Sequence, residues 1–414
     1  MDVRVAAGPR VGTGRPCDSC RDGGATASAC AGTVLETEPQ ATAAAGLLHS
    51  KGMDHRGRLT RLKSALAEER LDGLLVTSLP NIRYLCGFTG SAAALVVSEE
   101  SCYFFTDGRY AEQAHEEVQG AKIKVHRKAA LAAASEWLAA VSKKLGLKRL
   151  GTEGDHLTLA EGTRLKKALG AGVRLRQAPS LVERQRMVKD AVEIGYLRQA
   201  VRLGASLFDV ALKTIRPGVP EVQVAAEMEY AARKAGAEGM AFETIIAAGE
   251  RSALPHGRAS KAAIPERGFV VCDFGVILAG YYSDMTRTVY VGRPSAADRD
   301  TYEAVREAQQ AAVEAVQPGK PVGEVDRAAR NVLKKKGLAR YFTHSTGHGV
   351  GLEIHEAPRV AAGQSEILQP GMVITIEPGV YIPGRGGVRI EDMVVVRQQG
   401  FEVLTPARRE LLTI

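Results

Sequence analysis

The sequence has few cysteines, no dense block of basic residues and no long apolar run. Its six cysteines lie at positions 17, 20, 30, 86, 102 and 272. This is no disulfide framework, and it favours a reducing, cytoplasmic compartment. No apolar run reaches about 18 residues, so neither a transmembrane helix nor a membrane partner is expected. The formal charge of +8 is spread along 414 residues without interleaved aromatics, which argues against a nucleic-acid partner.

The remaining composition is that of an ordinary globular protein, with 45% hydrophobic and 25% charged residues. A length of 414 residues predicts two folded domains. Residues 1–52 are rich in Gly, Ala, Thr and Pro and show no sustained periodicity. We therefore expect this stretch to be a disordered N-terminal extension.

Residues 54–183 alternate helix-like and strand-like segments. The apolar spacing predicts an amphipathic helix over 56–70, and a short strand-like run follows at 73–78. The alternation continues to about residue 176 and predicts an α/β layer domain. Linker residues near 183–189 mark the boundary to a second domain, which we expect to span 190–414.

The second domain contains an internal repeat. The Pro-Gly-Xaa-Pro stretch at 217–220 recurs at 318–321, and Lys234 and Gly236 recur at the same offset of 101 residues. Each copy ends one helix at Pro-Gly and begins another after the second proline. Each second helix leads into strands that carry two carboxylates, so the pattern predicts two similar halves.

Four carboxylates interrupt these strand-like runs. Asp273 and Asp284 flank a short turn near 278–280, which indicates a β-hairpin. A bulge-free hairpin centred between residues 278 and 279 sets the two aspartates directly opposite, where like charges destabilise each other. A cation between them removes that repulsion. Glu377 and Glu391 interrupt two further apolar strands, where carboxylates are rarely buried unless paired.

Three of the nine histidines, at 344, 348 and 355, lie in one glycine-rich segment. Imidazole is the commonest metal ligand in proteins, and glycine lets the backbone approach a ligand closely. Four carboxylates and one imidazole make a hard site suited to Mn, Co, Fe or Zn. Four negative charges balance two divalent ions, and a metal pair promotes hydrolysis by activating water. The residues therefore indicate a dinuclear metallohydrolase.

Several motifs in this chain resemble those of the Xaa-Pro peptidase family, which comprises aminopeptidase P and prolidase. The resemblance covers residues 54–414. The matching stretches are 254–257, 273–275, 283–287, 344–356, 376–379 and 387–392. It implies an α/β creatinase-like N-terminal domain, an α+β pita-bread catalytic domain with an internal pseudo-two-fold duplication, and a homodimer.

The resemblance also implies the ligands of two divalent metal ions. We expect manganese, with cobalt, zinc or iron as alternatives. The implied ligands are Asp273, Asp284, His348, Glu377 and Glu391.

Further roles follow from the same resemblance. His256 would lie beside the scissile bond, His344 and His355 would hold the substrate and its tetrahedral intermediate, and Glu377 would act as the base. Arg389 would share a strand face with Glu391. It either pairs with a carboxylate near the metals or receives a substrate carboxylate. We favour the pairing, because such partners hold ligands in place.

The predicted function is hydrolysis of the peptide bond before proline by an Xaa-Pro aminopeptidase, acting on peptides with proline at the second position. One alternative is an Xaa-Pro dipeptidase restricted to dipeptides. Another is a non-catalytic pita-bread interaction protein, although such proteins typically lose ligands. Two related enzymes are further alternatives. Methionine aminopeptidase would share the metals but does not need the N-terminal domain. Creatinase-like hydrolases have the same two domains without metals, and the five filled ligand positions argue against them.

Overall fold

A computed structural model gives the structure of residues 52–414. The N-terminal extension was expected to be disordered over residues 1–52, and all of it except Gly52 lies outside the described residues. Within the described range, no helix is both long enough and apolar enough to cross a membrane.

The first domain is built on one mixed sheet flanked by helices. Its helices are α1 (His55–Glu68), α2 (Leu79–Cys86), α3 (Ala111–Glu117), α4 (Ala130–Val141), α5 (Leu159–Leu169) and α6 (Leu181–Met187). Its strands are β1 (Gly73–Val76), β2 (Ala94–Ser98), β3 (Cys102–Asp107), β4 (Lys122–His126), β5 (Arg149–Glu153) and β6 (Arg174–Ala178). The strand order is β4-β3-β2-β1-β5-β6, in which β2 runs antiparallel to both its neighbours. This confirms the predicted α/β layer architecture.

The second domain consists of two halves that each begin with a pair of helices. The first half contains α7 (Ala191–Thr214), α8 (Glu221–Lys234), β7 (Gly239–Met240), β8 (Ile245–Ala248), β9 (Gly268–Phe274), β10 (Val276–Leu278), β11 (Tyr281–Tyr282) and β12 (Met285–Val291). The second half contains α9 (Ala296–Glu314), α10 (Val322–Lys335), β13 (Gly347–Gly349), β14 (Glu356–Val360), β15 (Val373–Ile376), β16 (Gly379–Ile382), β17 (Gly386–Arg389), β18 (Asp392–Val396) and β19 (Phe401–Val403).

The repeated Pro-Gly stretch has the same structure in both halves. Gly218 and Gly319 each have φ of +83°, a value that favours glycine. Pro220 and Pro321 immediately precede α8 and α10, and each forms an isolated antiparallel bridge to a later residue of its own half. The predicted duplication is therefore confirmed.

Helices cover the strands of each half and leave the strand ends free to form a site. In the second half, small and branched side chains of α9 and α10, such as Ala308 and Val325, belong to one buried cluster with Ile374 and Val394 of the sheet. In the first half, Met228 of α8 belongs to a separate cluster with residues of β8, β9 and β12. Two cores on either side of the carboxylate-bearing strand ends give the site rigid walls.

The predicted hairpin register is wrong by two residues. β9 and β12 pair Asp273 with Thr286 rather than with Asp284. The reason is that the turn lies one residue later than predicted, at Ala279 and Gly280, which both have positive φ. Because alternate residues of a strand face the same side, a shift of two residues keeps both aspartates on one face.

Candidate metal centre

The five predicted metal ligands line one cleft of about 750 Å³. Ligand atoms of Asp284, His348 and Glu391 all lie within 4.8 Å of one another. His348 Nε2 lies 3.4 Å from Glu377 Oε1 and 3.6 Å from Asp284 Oδ2. The two duplicated halves therefore bring their acidic side chains to a single place.

Each ligand occupies a point where a strand begins, ends or is irregular. Asp273 is the penultimate residue of β9, and Asp284 directly precedes β12. Glu377 follows β15 and is succeeded by Pro378, which cannot donate to a sheet. Glu391 lies between β17 and β18, and His348 is the central residue of β13, beside a register shift. These irregular positions aim the side chains into the cleft.

Burial makes three of the four carboxylates, Asp284, Glu377 and Glu391, unusually basic. It is the main cause of the raised pKa of Asp284 and of Glu391, both of which lie well above their ordinary values. Burial likewise raises the pKa of Glu377 to about 8. Neighbouring carboxylates add to the effect at each of the three residues. A cluster with these properties attracts either protons or cations.

His348 is held as a neutral ligand. Burial lowers its pKa to about 4. Its Nδ1 lies 2.9 Å from the carbonyl oxygen of Gly349, which can only accept a hydrogen bond. Nδ1 therefore carries the proton, and Nε2 presents its lone pair towards Asp284 and Glu377.

Two buried oxygens in the cluster point to a cation. Asp273 Oδ1 and Glu391 Oε1 have no hydrogen-bond partner within residues 52–414. Leaving a buried charged oxygen unpaired is destabilising. The donor set of carboxylate oxygens and one neutral imidazole suits hard divalent ions. The residues present therefore fit the metals that the sequence implies.

Arg389 holds two of the predicted ligands in place, Asp273 directly and Glu391 through Thr286. Its guanidinium donates to Asp273 Oδ2 at 2.5 Å, to the Tyr381 hydroxyl at 2.6 Å and to the carbonyl oxygen of Pro255 at 3.0 Å. Its Nε contacts Thr286 Oγ1 at 3.1 Å, and that hydroxyl donates to Glu391 Oε2 at 2.7 Å. Of the two roles considered for Arg389, the structure shows the pairing with a carboxylate.

The other three histidines predicted to act in catalysis, His256, His344 and His355, also line the cleft. His344 Nε2 lies 2.9 Å from the Tyr381 hydroxyl, and burial lowers its pKa to about 4. The His355 ring centroid is 4.4 Å from that of His348. His256 lies exposed in the loop before β9. All nine residues chosen from the sequence therefore surround one cleft.

Sequence reasoning missed Tyr381 and Arg359. Tyr381 connects His344 to Arg389, yet it is an unremarkable aromatic residue in an apolar strand. Arg359 of β14 pairs in register with His348 of β13 and lines the cleft. Cross-strand partners share a sheet face, so the guanidinium is next to the predicted ligand. Only the strand pairing distinguishes Arg359 from other exposed arginines.

Comparison with known proteins identifies the class. Residues 195–398 match the family described as Metallopeptidase family M24, and residues 58–188 match the Creatinase/Prolidase N-terminal domain. The chain is 37% identical over 357 residues to an Xaa-Pro dipeptidase of Pyrococcus horikoshii, covering 86% of this chain and 98% of that one.

Solved structures give the same result. The Xaa-Pro dipeptidase from Bacillus anthracis superposes with a TM-score of 0.83 and 41% identity, over 87% of this chain and 100% of that one. The X-Pro aminopeptidase from Thermotoga maritima superposes with a TM-score of 0.77 and 35% identity, over 84% and 100%. The fold and the site thus define a two-domain, pita-bread metallo-exopeptidase. The chain belongs to the M24 metallopeptidase family.

Proposed function

We propose that this protein is a metal-dependent Xaa-Pro dipeptidase. The sequence favoured an Xaa-Pro aminopeptidase and kept the dipeptidase as an alternative. The relatives from P. horikoshii and B. anthracis are both Xaa-Pro dipeptidases, and they support the alternative. The T. maritima relative is an X-Pro aminopeptidase, so the geometry of the cleft has to decide between the two.

The position of Arg359 at the cleft is the observation that favours the dipeptidase. No ion pair to this residue occurs among residues 52–414, although it stands beside His348 at the cleft. A dipeptide places its free carboxylate on the proline, one residue beyond the scissile bond, whereas a longer peptide has an uncharged amide there. Guanidinium groups bind carboxylates through paired hydrogen bonds. An unpaired arginine at this place therefore suits a dipeptide.

The reaction divides between the metals and the chain's own groups. Asp273, Asp284, His348, Glu377 and Glu391 would hold two divalent ions. When bound, these ions supply Lewis acidity and lower the pKa of water.

The protein side chains would then move protons and stabilise charge. Glu377, whose Oε1 lies 3.4 Å from His348 Nε2 in the cleft, can accept a proton from the attacking water and deliver it to the proline nitrogen as the bond breaks. His256 and His355 line the same cleft and can donate hydrogen bonds to the developing oxyanion.

The test compares Ala-Pro with Ala-Pro-amide and Ala-Pro-Ala, assayed with Mn²⁺. We expect the wild type to prefer Ala-Pro, and Arg359→Met to lower kcat/KM on Ala-Pro by about 10- to 100-fold, as expected for a lost charged hydrogen bond. Hydrolysis of Ala-Pro-amide should hardly change. Arg258→Met is the matched control, because Arg258 lines the same cleft but is paired with Glu243 at 2.9 Å. Equal activity on Ala-Pro-Ala, unaffected by either substitution, would favour the aminopeptidase.

A further inference from the structure

A buried ion-pair network lies next to the cleft. Its centre is Arg186 of α6, whose side chain is only 2% exposed. The guanidinium contacts the carboxylate of Glu353 at 2.7 Å and that of Glu356. Lys189, in the connection to α7, donates to Glu356 Oε2 at 2.9 Å. Two buried cations thus converge on Glu356.

Glu356 controls the shape of the segment between β13 and β14. It pairs in register with Gly349, the residue after His348. Its carboxylate accepts a hydrogen bond from the Glu353 backbone N–H at 3.1 Å. A Cβ on Gly351 would lie 2.7 Å from Glu356 Oε2. The segment 349–356, which includes His355, therefore wraps around this one carboxylate.

Glu356 depends on both cations to remain charged. Burial by itself raises the pKa of its carboxyl, but the charges of Lys189 and Arg186 bring the net pKa below its ordinary value. The Glu356 side chain is 6% exposed, and the Lys189 side chain 1%. Removing one partner of a buried ion pair leaves an uncompensated charge, which is strongly destabilising for the surrounding structure.

The same arginine is anchored within the N-terminal domain, to which α6 belongs. Its Nη1 donates to Asn81 Oδ1 at 2.7 Å. The Asn81 amide in turn donates to Glu153 at 2.7 Å and to Glu183 at 2.5 Å. Asn81 lies in helix α2 and is fully buried. Asn81 therefore fixes the Arg186 guanidinium to the body of the N-terminal domain.

We propose that Arg186 is a positioning residue for hydrolysis. Through Glu356 it holds the segment from His348 to His355 against the N-terminal domain, so that this domain sets the placement of a metal ligand and of a substrate-contacting histidine. The inference rests on the metal centre of the proposed function. It also gives the N-terminal domain a role in the chemistry of the second domain.

The test uses the full chain with Arg186→Met, Arg186→Lys, Glu356→Gln and the double variant Arg186→Met/Glu356→Gln. Kinetics on Ala-Pro and calorimetric titration with Mn²⁺ are measured for each. Mutation of residues that orient metal ligands typically lowers activity or metal affinity by about 10- to 100-fold. We expect Arg186→Met to lower kcat and Mn²⁺ affinity within that range, with a smaller change in KM.

Rescue distinguishes positioning from general stability. Arg186→Lys keeps the charge and should recover part of kcat. Arg186 and Glu356 contact each other directly, and each single variant already removes that contact, so the loss in the double variant should be smaller than the product of the two single losses. If Arg186→Met fails to fold, the lysine and double variants still report kcat and Mn²⁺ affinity.

Arg58→Met is the matched control. Arg58 is equally buried and pairs with Asp190 at 2.7 Å and Glu193 at 3.0 Å, at the start of α7. We expect this variant to lose thermal stability but to keep kcat and Mn²⁺ affinity. If Arg186→Met behaves in the same way, Arg186 is merely structural and the inference is overturned. A wild type that neither binds Mn²⁺ nor cleaves Ala-Pro would instead overturn the proposed function, before any variant is compared.

Discussion

At the scale of single residues, Glu377 combines the two properties that the proposed chemistry requires. It lies among the predicted ligands, with its Oε1 3.4 Å from His348 Nε2, and its carboxylate can accept a proton. We predict that Glu377→Gln lowers kcat on Ala-Pro by about 10²- to 10⁴-fold, because an amide cannot accept the proton. Steady-state kinetics measure the loss, and Glu314→Gln on the exposed face of α9 is the control. Activity within about threefold of wild type would exclude Glu377 as the base.

The buried carboxylates also predict how stability changes with pH. In metal-free protein, Glu377 keeps its proton up to about pH 8, whereas in the unfolded chain it loses it near its ordinary pKa of about 4. Folding therefore takes up protons, and stability falls as pH rises through the folded pKa. His344 and His348, with pKa values lowered to about 4, oppose this only below about pH 6.5.

We therefore predict that the melting temperature of chelator-treated protein falls between about pH 6.5 and 8.5. Metal binding needs deprotonated ligands, so added Mn²⁺ should stabilise the protein most at the upper end of this range. Thermal-shift measurements across the range test both statements. Glu377→Gln is the control and should show a smaller fall, because its amide does not titrate. A melting temperature that rises with pH in the metal-free wild type would contradict the prediction.

At the scale of elements, the strand that carries His348 depends on close backbone packing. A Cβ on Gly347 would lie 1.9 Å from the carbonyl oxygen of Thr375 in β15. We predict that Gly347→Ala displaces β13 from β15, costs about 1–3 kcal/mol of unfolding free energy and weakens Mn²⁺ binding. Chemical denaturation and calorimetry measure the two effects.

The control is a glycine with open space around it. Gly195 lies within helix α7, and a Cβ there would meet nothing within 4 Å. Gly195→Ala should raise stability by up to about 1 kcal/mol, since alanine favours helix, and should leave Mn²⁺ binding unchanged. Two alanine variants with the same effect would show that the position of Gly347 has no special importance.

The elements also show where sequence reasoning was limited. The helix predicted over 56–70 is present as α1, because a periodic apolar face determines a helix locally. The hairpin at Asp273 was predicted, but its predicted register was wrong by two residues. Ala279 has φ of +51°, and a residue with a Cβ gives little sequence signal for such a turn.

At the scale of the whole molecule, the duplication could be read from the sequence because a Pro-Gly stretch constrains the backbone directly. The clustering of the acidic residues could be inferred because buried carboxylates need a partner. The contacts of Arg186 with Glu356 could not. These residues are 170 positions apart, and neither belongs to a periodic pattern. Their pairing depends on where α6, at the end of the first domain, packs against β14 of the second half.

The proposed activity depends most on acidic side chains from two duplicated halves binding two cations together. Anomalous diffraction at the manganese absorption edge, from crystals soaked in MnCl₂, tests this directly. We predict two peaks, both coordinated by residues among Asp273, Asp284, His348, Glu377 and Glu391, with each half contributing ligands. The absence of any peak in this cleft, or peaks bound only outside it, would contradict the account.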